Sequence, residues 1–196
     1  MPHAQPLSPR LDQLRDRLAG LEARPGDDDT SLRWAAVALV LVPSPDALLL
    51  IRRADRAGDP WSGHMALPGG RRSPDDADLA ATAIRETAEE VGLALSRSDL
   101  LGGLEDLVPR IPTLPPVAVR PYVFTLSERP ALTLNDEVAA YRWVYLDHLL
   151  HPDTYHSVRM DIRGERRDVP AYRLEETIVW GMTERILTGF LQHVRP

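Results

Sequence analysis

Three glutamates offer the most specific chemistry in this sequence. Glu86, Glu89 and Glu90 stand at positions i, i+3 and i+4, so a helix would crowd their carboxylates onto one face. Like charges at that spacing repel, and something positive must offset them. Oxygen ligands clustered beside a turn suit a hard divalent cation, Mg²⁺ or Mn²⁺. Just upstream, Gly69-Gly70 reads as a glycine-rich loop whose backbone can approach a phosphate closely. Arg52, Arg53, Arg56 and His64 precede that loop and could bind substrate phosphates, while Trp61 could stack on a base. For a Glu-Glu pair alone, the bland reading is a solvated acidic helix held by Arg85. The whole stretch points instead to metal-assisted chemistry at a phosphate.

The elements that must position these groups follow from pattern. Leu79, Ala83, Glu86 and Glu90 lie at helical spacing, Asp76 and Asp78 fall where a helix would start, and Gly92 is a natural stop. Before this helix, residues 34–42 form a continuous apolar run and residues 47–52 its partner, a hairpin across Pro43–Asp46. Residues 53–67 read as a loop. After the helix, residues 101–108, 117–126 and 138–146 read as strands. Glu105 and Asp106 lie on or at the end of the first, and Pro121 suggests that the second starts on an edge. The four prolines between 109 and 116 exclude a central strand there. Residues 147–150 start a short helix, residues 151–168 form a polar loop or a hairpin around Arg163-Gly164, and residues 175–194 form a helix with Ile178, Met182, Ile186 and Phe190 on one face. Trp180 then reads as a core residue of that helix. At the other end, Leu7, Leu11, Leu14, Leu18 and Leu21 mark an amphipathic helix opened by Ser8 and Pro9. It could pack on its own domain or on a second subunit, which would make a homodimer. Residues 25–29 are a turn or linker.

Composition narrows the function classes. The chain has 196 residues, enough for one domain with a sizeable core, and a net charge of −6. It therefore has no polybasic character suited to nucleic acid or a membrane surface. It contains no Cys and no Lys, which excludes thiol catalysis, zinc–thiolate sites, Schiff-base chemistry and Walker-type phosphate binding. The absence of cysteine fits a reducing cytoplasm. No apolar run approaches a membrane span, and the N-terminus does not read as a secretory signal.

The stretch from Gly70 to Leu93 resembles the Nudix box, the signature of the Nudix hydrolases: Gly, five residues, Glu, seven residues, then Arg-Glu-U-x-Glu-Glu-x-Gly-U, with U aliphatic. Arg85-Glu86-Thr87-Ala88-Glu89-Glu90-Val91-Gly92-Leu93 closes it, with Thr87 in place of the first aliphatic. Asp76 stands where the box has its first Glu, and Arg85 arrives one residue late. That form is similar to the coenzyme A pyrophosphatase branch of the family. So are Leu48-Leu49-Leu50-Ile51-Arg52-Arg53-Ala54, Gly63, Leu67-Pro68-Gly69-Gly70, and the late segment Ile178-Val179-Trp180-Gly181-Met182-Thr183. The departures are Leu67 for Phe, Ile51 for Thr, a slightly longer loop before Gly63, and Arg56 in place of a second Arg that is out of register.

The resemblance implies an α/β (α+β) fold, a Nudix-type αβα sandwich with a mixed β-sheet and an extra N-terminal helix. Residues 1–29 would be tail and amphipathic helix, and 30–196 the Nudix domain. It implies hydrolysis of a nucleoside diphosphate linked to X, with water attacking a pyrophosphate bridge and a divalent metal neutralising charge and activating the water. Glu86, Glu89 and Glu90 would be metal ligands, with the carbonyl of Gly70 or a neighbour completing the shell. One of the box glutamates could be the base, and Arg85 would orient a box carboxylate. Glu137, or Glu105, could supply the distant carboxylate that many Nudix enzymes use as ligand or base. On the flanking signatures the substrate is coenzyme A or a derivative. The alternatives are a nucleotide-pool enzyme acting on ordinary or oxidised nucleoside triphosphates or on dinucleotide and ADP-sugar substrates, and a Nudix module that binds a nucleotide without hydrolysing it.

Overall fold

A computed structural model describes residues 7–19, 32–58, 61–108, 117–162, 164–175 and 177–195. The expected features at residues 1–6, 25–29 and 109–116, together with Leu21 and Arg163, lie outside the described residues. The chain runs α1 (Pro9–Ala19), β1 (Arg33–Val42), β2 (Ala47–Arg53), β3 (Met65–Ala66), β4 (Gly69–Arg71), α2 (Leu79–Val91), β5 (Leu100–Gly103), β6 (Val117–Thr125), β7 (Val138–Tyr145), α3 (Leu146–Leu150), β8 (Tyr155–Ile162), β9 (Glu165–Leu174), β10 (Thr177–Trp180) and α4 (Gly181–Val194).

Seven strands form one mixed sheet in the order β3-β2-β1-β6-β5, with β4 added on β1 and β7 on β2. The sheet is mixed because β1 and β6 run parallel while its other pairs are antiparallel. Strands β8 to β10 make a second, antiparallel sheet. Alternation along β1 and β2 divides the core. Ala36, Ala38, Val40, Leu49 and Ile51 face α2, while Leu39, Leu41, Leu48 and Leu50 join Leu14 of α1 and Phe190 of α4 in a separate cluster on the other face. This is the expected αβα arrangement.

The β1–β2 hairpin is splayed. The two strands pair directly only near their turn, at Leu41↔Leu48 and Val42↔Ala47. Beyond it, β3 lines β2 and β4 lines β1. The Gly69-Gly70 segment, read above as a loop, is therefore a strand wedged into the opening. Gly69 takes φ 150°, and a Cβ there would run into the Ala36 backbone, so only glycine fits this approach.

Three further expectations are corrected. β6 lies between β1 and β5 rather than on an edge. Pro121 is tolerated because its carbonyl accepts from Leu104 N at 2.8 Å just past the end of β5. The missing N–H lies on that same side, so the β1 ladder loses no bond. The strand expected over 101–108 stops at Gly103, leaving only a bridge at Leu107↔Val119. The C-terminal helix begins at Gly181, not at Glu175. Residues 177–180 pair with β9, and Gly181 at φ 70° breaks the strand. The buried face of α4 is then Ile186, Leu187, Phe190, Leu191 and Val194, while Met182 is exposed. Trp180 ends a strand and is half-buried.

Helix α1 packs on its own chain. Leu11, Leu14 and Leu18 are buried in the α4-side cluster. A Cβ on Gly102 would sit 3.1 Å from the Leu18 Cβ, so β5 receives the helix closely. Arg17 Nη1 donates to the His193 carbonyl at 2.8 Å and Arg10 pairs with Asp147 at 2.7 Å. The apolar face that a second subunit could have used is thus occupied within the chain.

Candidate active site

Helix α2 owes its ends to two residues. The Asp78 side chain accepts from Ala81 N at 2.8 Å, and Gly92 adopts φ 67° with its N–H bonded to the Ala88 carbonyl. Thr87 is fully buried because its hydroxyl donates to the Ala83 carbonyl at 2.7 Å, which lets a polar residue stand at the aliphatic position of the box. Ala80, Ala83 and Val91 seat the helix on the sheet.

The three glutamates sit in different environments. Glu90 is 4 % exposed and its Oε2 accepts from Gly69 N at 2.9 Å. Burial, opposed by that hydrogen bond, pushes its carboxyl up to about 7, with the neighbouring charges of Glu86 and Glu137 adding to the rise and Arg53 opposing it. Glu86 is half-buried and raised first by burial, and it pairs with Arg85 at 2.9 Å. Its carboxylate lies against Gly70, where a Cβ would come within 2.5 Å of an Oε atom. Glu89 is exposed and accepts from Arg85 Nη1 at 3.2 Å.

Arg85 is the hub. Its Nε and Nη2 donate to both oxygens of Asp76 at 2.9 and 3.0 Å, and Nη2 also donates to the Arg71 carbonyl at 3.0 Å. Asp76 is 8 % exposed and accepts as well from Ser73 N and from the Thr82 hydroxyl, each at 2.8 Å. The Arg85 guanidinium, helped by these bonds, holds the Asp76 carboxyl well below the usual carboxylate range despite its burial. Asp76 therefore precedes the helix instead of capping it and anchors the arginine that engages Glu86 and Glu89. The sequence signal for this was the extra residue between Asp76 and Arg85.

The other expected residues divide. Arg53 lies on the α2 face opposite Val138. Glu137 is exposed beside it, accepting from Arg56 Nη1 at 3.1 Å, with its carbonyl bonded to Ala54 N at 2.8 Å. Arg52 pairs with Met65, whose side chain enters the α4-side core, so Arg52 falls on the face away from the box. Glu105 is exposed beyond the end of β5, and its neighbour Asp106 is engaged by Arg120 at 2.7 Å. The His64 ring packs on Trp180, a contact that sequence reading missed because Trp180 looked like helix core. A separate cavity of about 300 Å³, lined by Tyr155, Tyr172, Thr188 and Arg195, lies beside α4 and includes no box residue.

Among the described residues, no three acidic or histidine side chains already converge as a metal site. The donor set nonetheless fits a hard cation: one buried carboxylate, Glu90, and one half-buried, Glu86, both with charges raised in energy by burial, beside glycine backbone. Gly70→Ala is expected to push Glu86 away and lower kcat by about 10- to 100-fold, with the far-UV spectrum unchanged. Steady-state rates at saturating metal check this, and a rate within about twofold of wild type would mean that Glu86 need not rest on Gly70.

Fold and site together define an αβα domain that presents clustered carboxylates beneath a glycine strand. Residues 32–161 match the NUDIX domain family. A relative named as an uncharacterized Nudix hydrolase, NudL, from Photorhabdus laumondii is 32 % identical over 165 residues, covering 83 % of this chain and 86 % of that protein. A NudL of Yersinia pestis is 34 % identical over 164 residues, covering 83 % of this chain and 80 % of its own. The solved MutT/nudix family protein from Enterococcus faecalis shares the fold, with a TM-score of 0.60 at 19 % identity over 97 % of this chain and 76 % of that one. The NUDIX domain of Shewanella oneidensis NrtR, solved with ADP ribose, superposes with a TM-score of 0.50 at 18 % identity, covering 69 % of this chain and 84 % of that one. The chain belongs to the Nudix hydrolase family. It is an enzyme of the class that cleaves pyrophosphate bonds in nucleoside diphosphate derivatives, a class that generally uses divalent metal ions. Among the described residues no helix is long and apolar enough to cross a membrane.

Proposed function

We propose that this Nudix hydrolase splits the pyrophosphate bridge of coenzyme A or a derivative, giving adenosine 3′,5′-bisphosphate and 4′-phosphopantetheine, with Mg²⁺ or Mn²⁺. One observation favours this substrate over others: the late segment, residues 178–183, is seated on the stretch between Gly63 and Leu67 of the upstream segment. Thr183 Oγ1 donates to the Met65 carbonyl at 3.3 Å across 118 residues, and Trp180 packs on His64 with ring centroids 5.0 Å apart.

Glu86, Glu89 and Glu90 would hold the cation, with Glu89 turning from Arg85 to join them and backbone at Gly70 beside them. When bound, the cation neutralises phosphoryl oxygens and activates the attacking water. Arg85, fixed by Asp76, orients Glu86 and Glu89. Arg53 and Arg56 bind the diphosphate from the loop side, and Glu137 takes a proton from the water. Arg52, on the other face, takes no part.

The test is a substrate panel with Mg²⁺ and separately Mn²⁺, with products resolved by mass. It would include coenzyme A, ADP-ribose, NADH, diadenosine polyphosphates, and ordinary and oxidised nucleoside triphosphates. Cleavage of coenzyme A into the two named products at the highest kcat/KM is the expected result. Turnover confined to triphosphates would overturn the substrate while leaving the box reading in place.

A further inference from the structure

We propose that Trp180, braced by His64, is the platform on which the substrate's nucleobase stacks, so that the C-terminal strand β10 supplies a specificity-determining residue to the site. This rests on the reading above that the substrate is a nucleoside diphosphate derivative.

The placement of His64 follows from the β2–β3 ladder. Arg53 N donates to the His64 carbonyl at 3.0 Å, which extends the pairing one step beyond Arg52↔Met65. Side chains alternate along a strand. Met65 enters the α4-side core, so His64 takes the opposite face, shared with Arg53 and α2. Trp180 obeys the same rule on β10. Val179 is fully buried in the α4-side core, and Trp180 turns the other way and stays partly open.

Two features fix Trp180 there. Its ring meets His64 edge to face, at 5.0 Å and 61°. Immediately after it, Gly181 at φ 70° ends the strand, and Thr183 ties the start of α4 to the Met65 carbonyl. The result is an indole held against His64, whose strand neighbour is Arg53, one of the arginines expected to hold the phosphates. A large flat ring with little rotamer freedom stacks on any base without reading its hydrogen bonds. Trp180 also lies beyond residues 32–161, the span that matches the family, so it stands apart from the shared hydrolytic machinery, as a specificity residue can.

The test is calorimetric titration with ADP and with ribose 5-diphosphate, which carries the same diphosphate but no base. Wild type should bind ADP about 10- to 100-fold more tightly. Trp180→Leu should abolish that difference, and Trp180→Phe, which keeps a ring, should restore most of it. In turnover, Trp180→Leu should raise KM for the nucleotide substrate by a similar factor and leave kcat within about threefold. Equal binding of the two ligands by wild type, no binding of either, or an equal weakening of both by Trp180→Leu would overturn the platform. Because binding is read without turnover, a preference for ADP in an enzyme that cleaves no nucleoside diphosphate derivative would sink the functional reading and leave the platform standing.

Discussion

Glu90→Gln is expected to lower kcat by about 10³- to 10⁴-fold, the loss that follows from removing about 4–6 kcal/mol of charge stabilisation. The substitution keeps the side chain's volume and can still accept from Gly69 N, so shape is preserved while charge is lost. Folding should not suffer. Glu90 is a buried carboxylate whose charge is opposed by burial and by Glu86 and only partly offset by Gly69 N and Arg53, and removing such a charge tends to stabilise. The expected signature is therefore a crippled enzyme with an equal or higher Tm. Saturating metal and substrate separate the loss of kcat from a weakened Kd for the metal. A kcat within tenfold of wild type would move the chemistry away from this carboxylate. Glu89→Gln should cost less, because Glu89 is exposed and already held by Arg85.

Asp76→Ala should cost about 2–3 kcal/mol of stability and about 10²-fold in kcat. The stability figure is below that for a fully buried pair because the Arg85 side chain is 30 % exposed while the Asp76 side chain is 5 % exposed. The kcat figure reflects an arginine set loose beside the two glutamates proposed to ligate the metal. The sign with pH is fixed by the lowered Asp76 carboxyl. Its contribution is fully present above the ordinary carboxylate range, near pH 4 and higher, and is lost as pH falls through the lower value it has in the folded protein. The stability gap between wild type and variant should be constant from pH 5 to 8, roughly, and narrow only in strong acid. Urea midpoints across that range measure it. A gap unchanged down to the acid limit would mean that Asp76 acts through packing, not charge.

Much of this site could be read from the chain because its signals are local. Asp78, Gly92 and the spacing of Leu79, Ala83, Glu86 and Glu90 describe a helix without knowledge of anything else. So do the apolar runs of β1 and β2. What failed depended on distant partners. Gly69–Arg71 has the composition of a turn, and only β1 makes it a strand. Ile178 continues the spacing of Met182, Ile186 and Phe190, so nothing local revealed that β9 would claim residues 177–180 first. Pro121 argued for an edge, yet its missing donor falls just past the end of a neighbouring strand. The face on which Arg52 and Arg53 part company depends on register, which one misplaced residue would invert.

The wedge of β4 into the splayed hairpin has a consequence for how this enzyme can change. The residues beneath the acidic helix are small, Ala36, Ala38 and Gly70 among them, so helix and sheet meet at close range and tolerate little alteration. The loop before β3 and the strand before α4 meet each other, His64 against Trp180, outside that tight layer. New substrates can therefore be acquired by exchanging peripheral segments while the hydrolytic geometry is inherited unaltered, much as a fixed mount accepts different lenses.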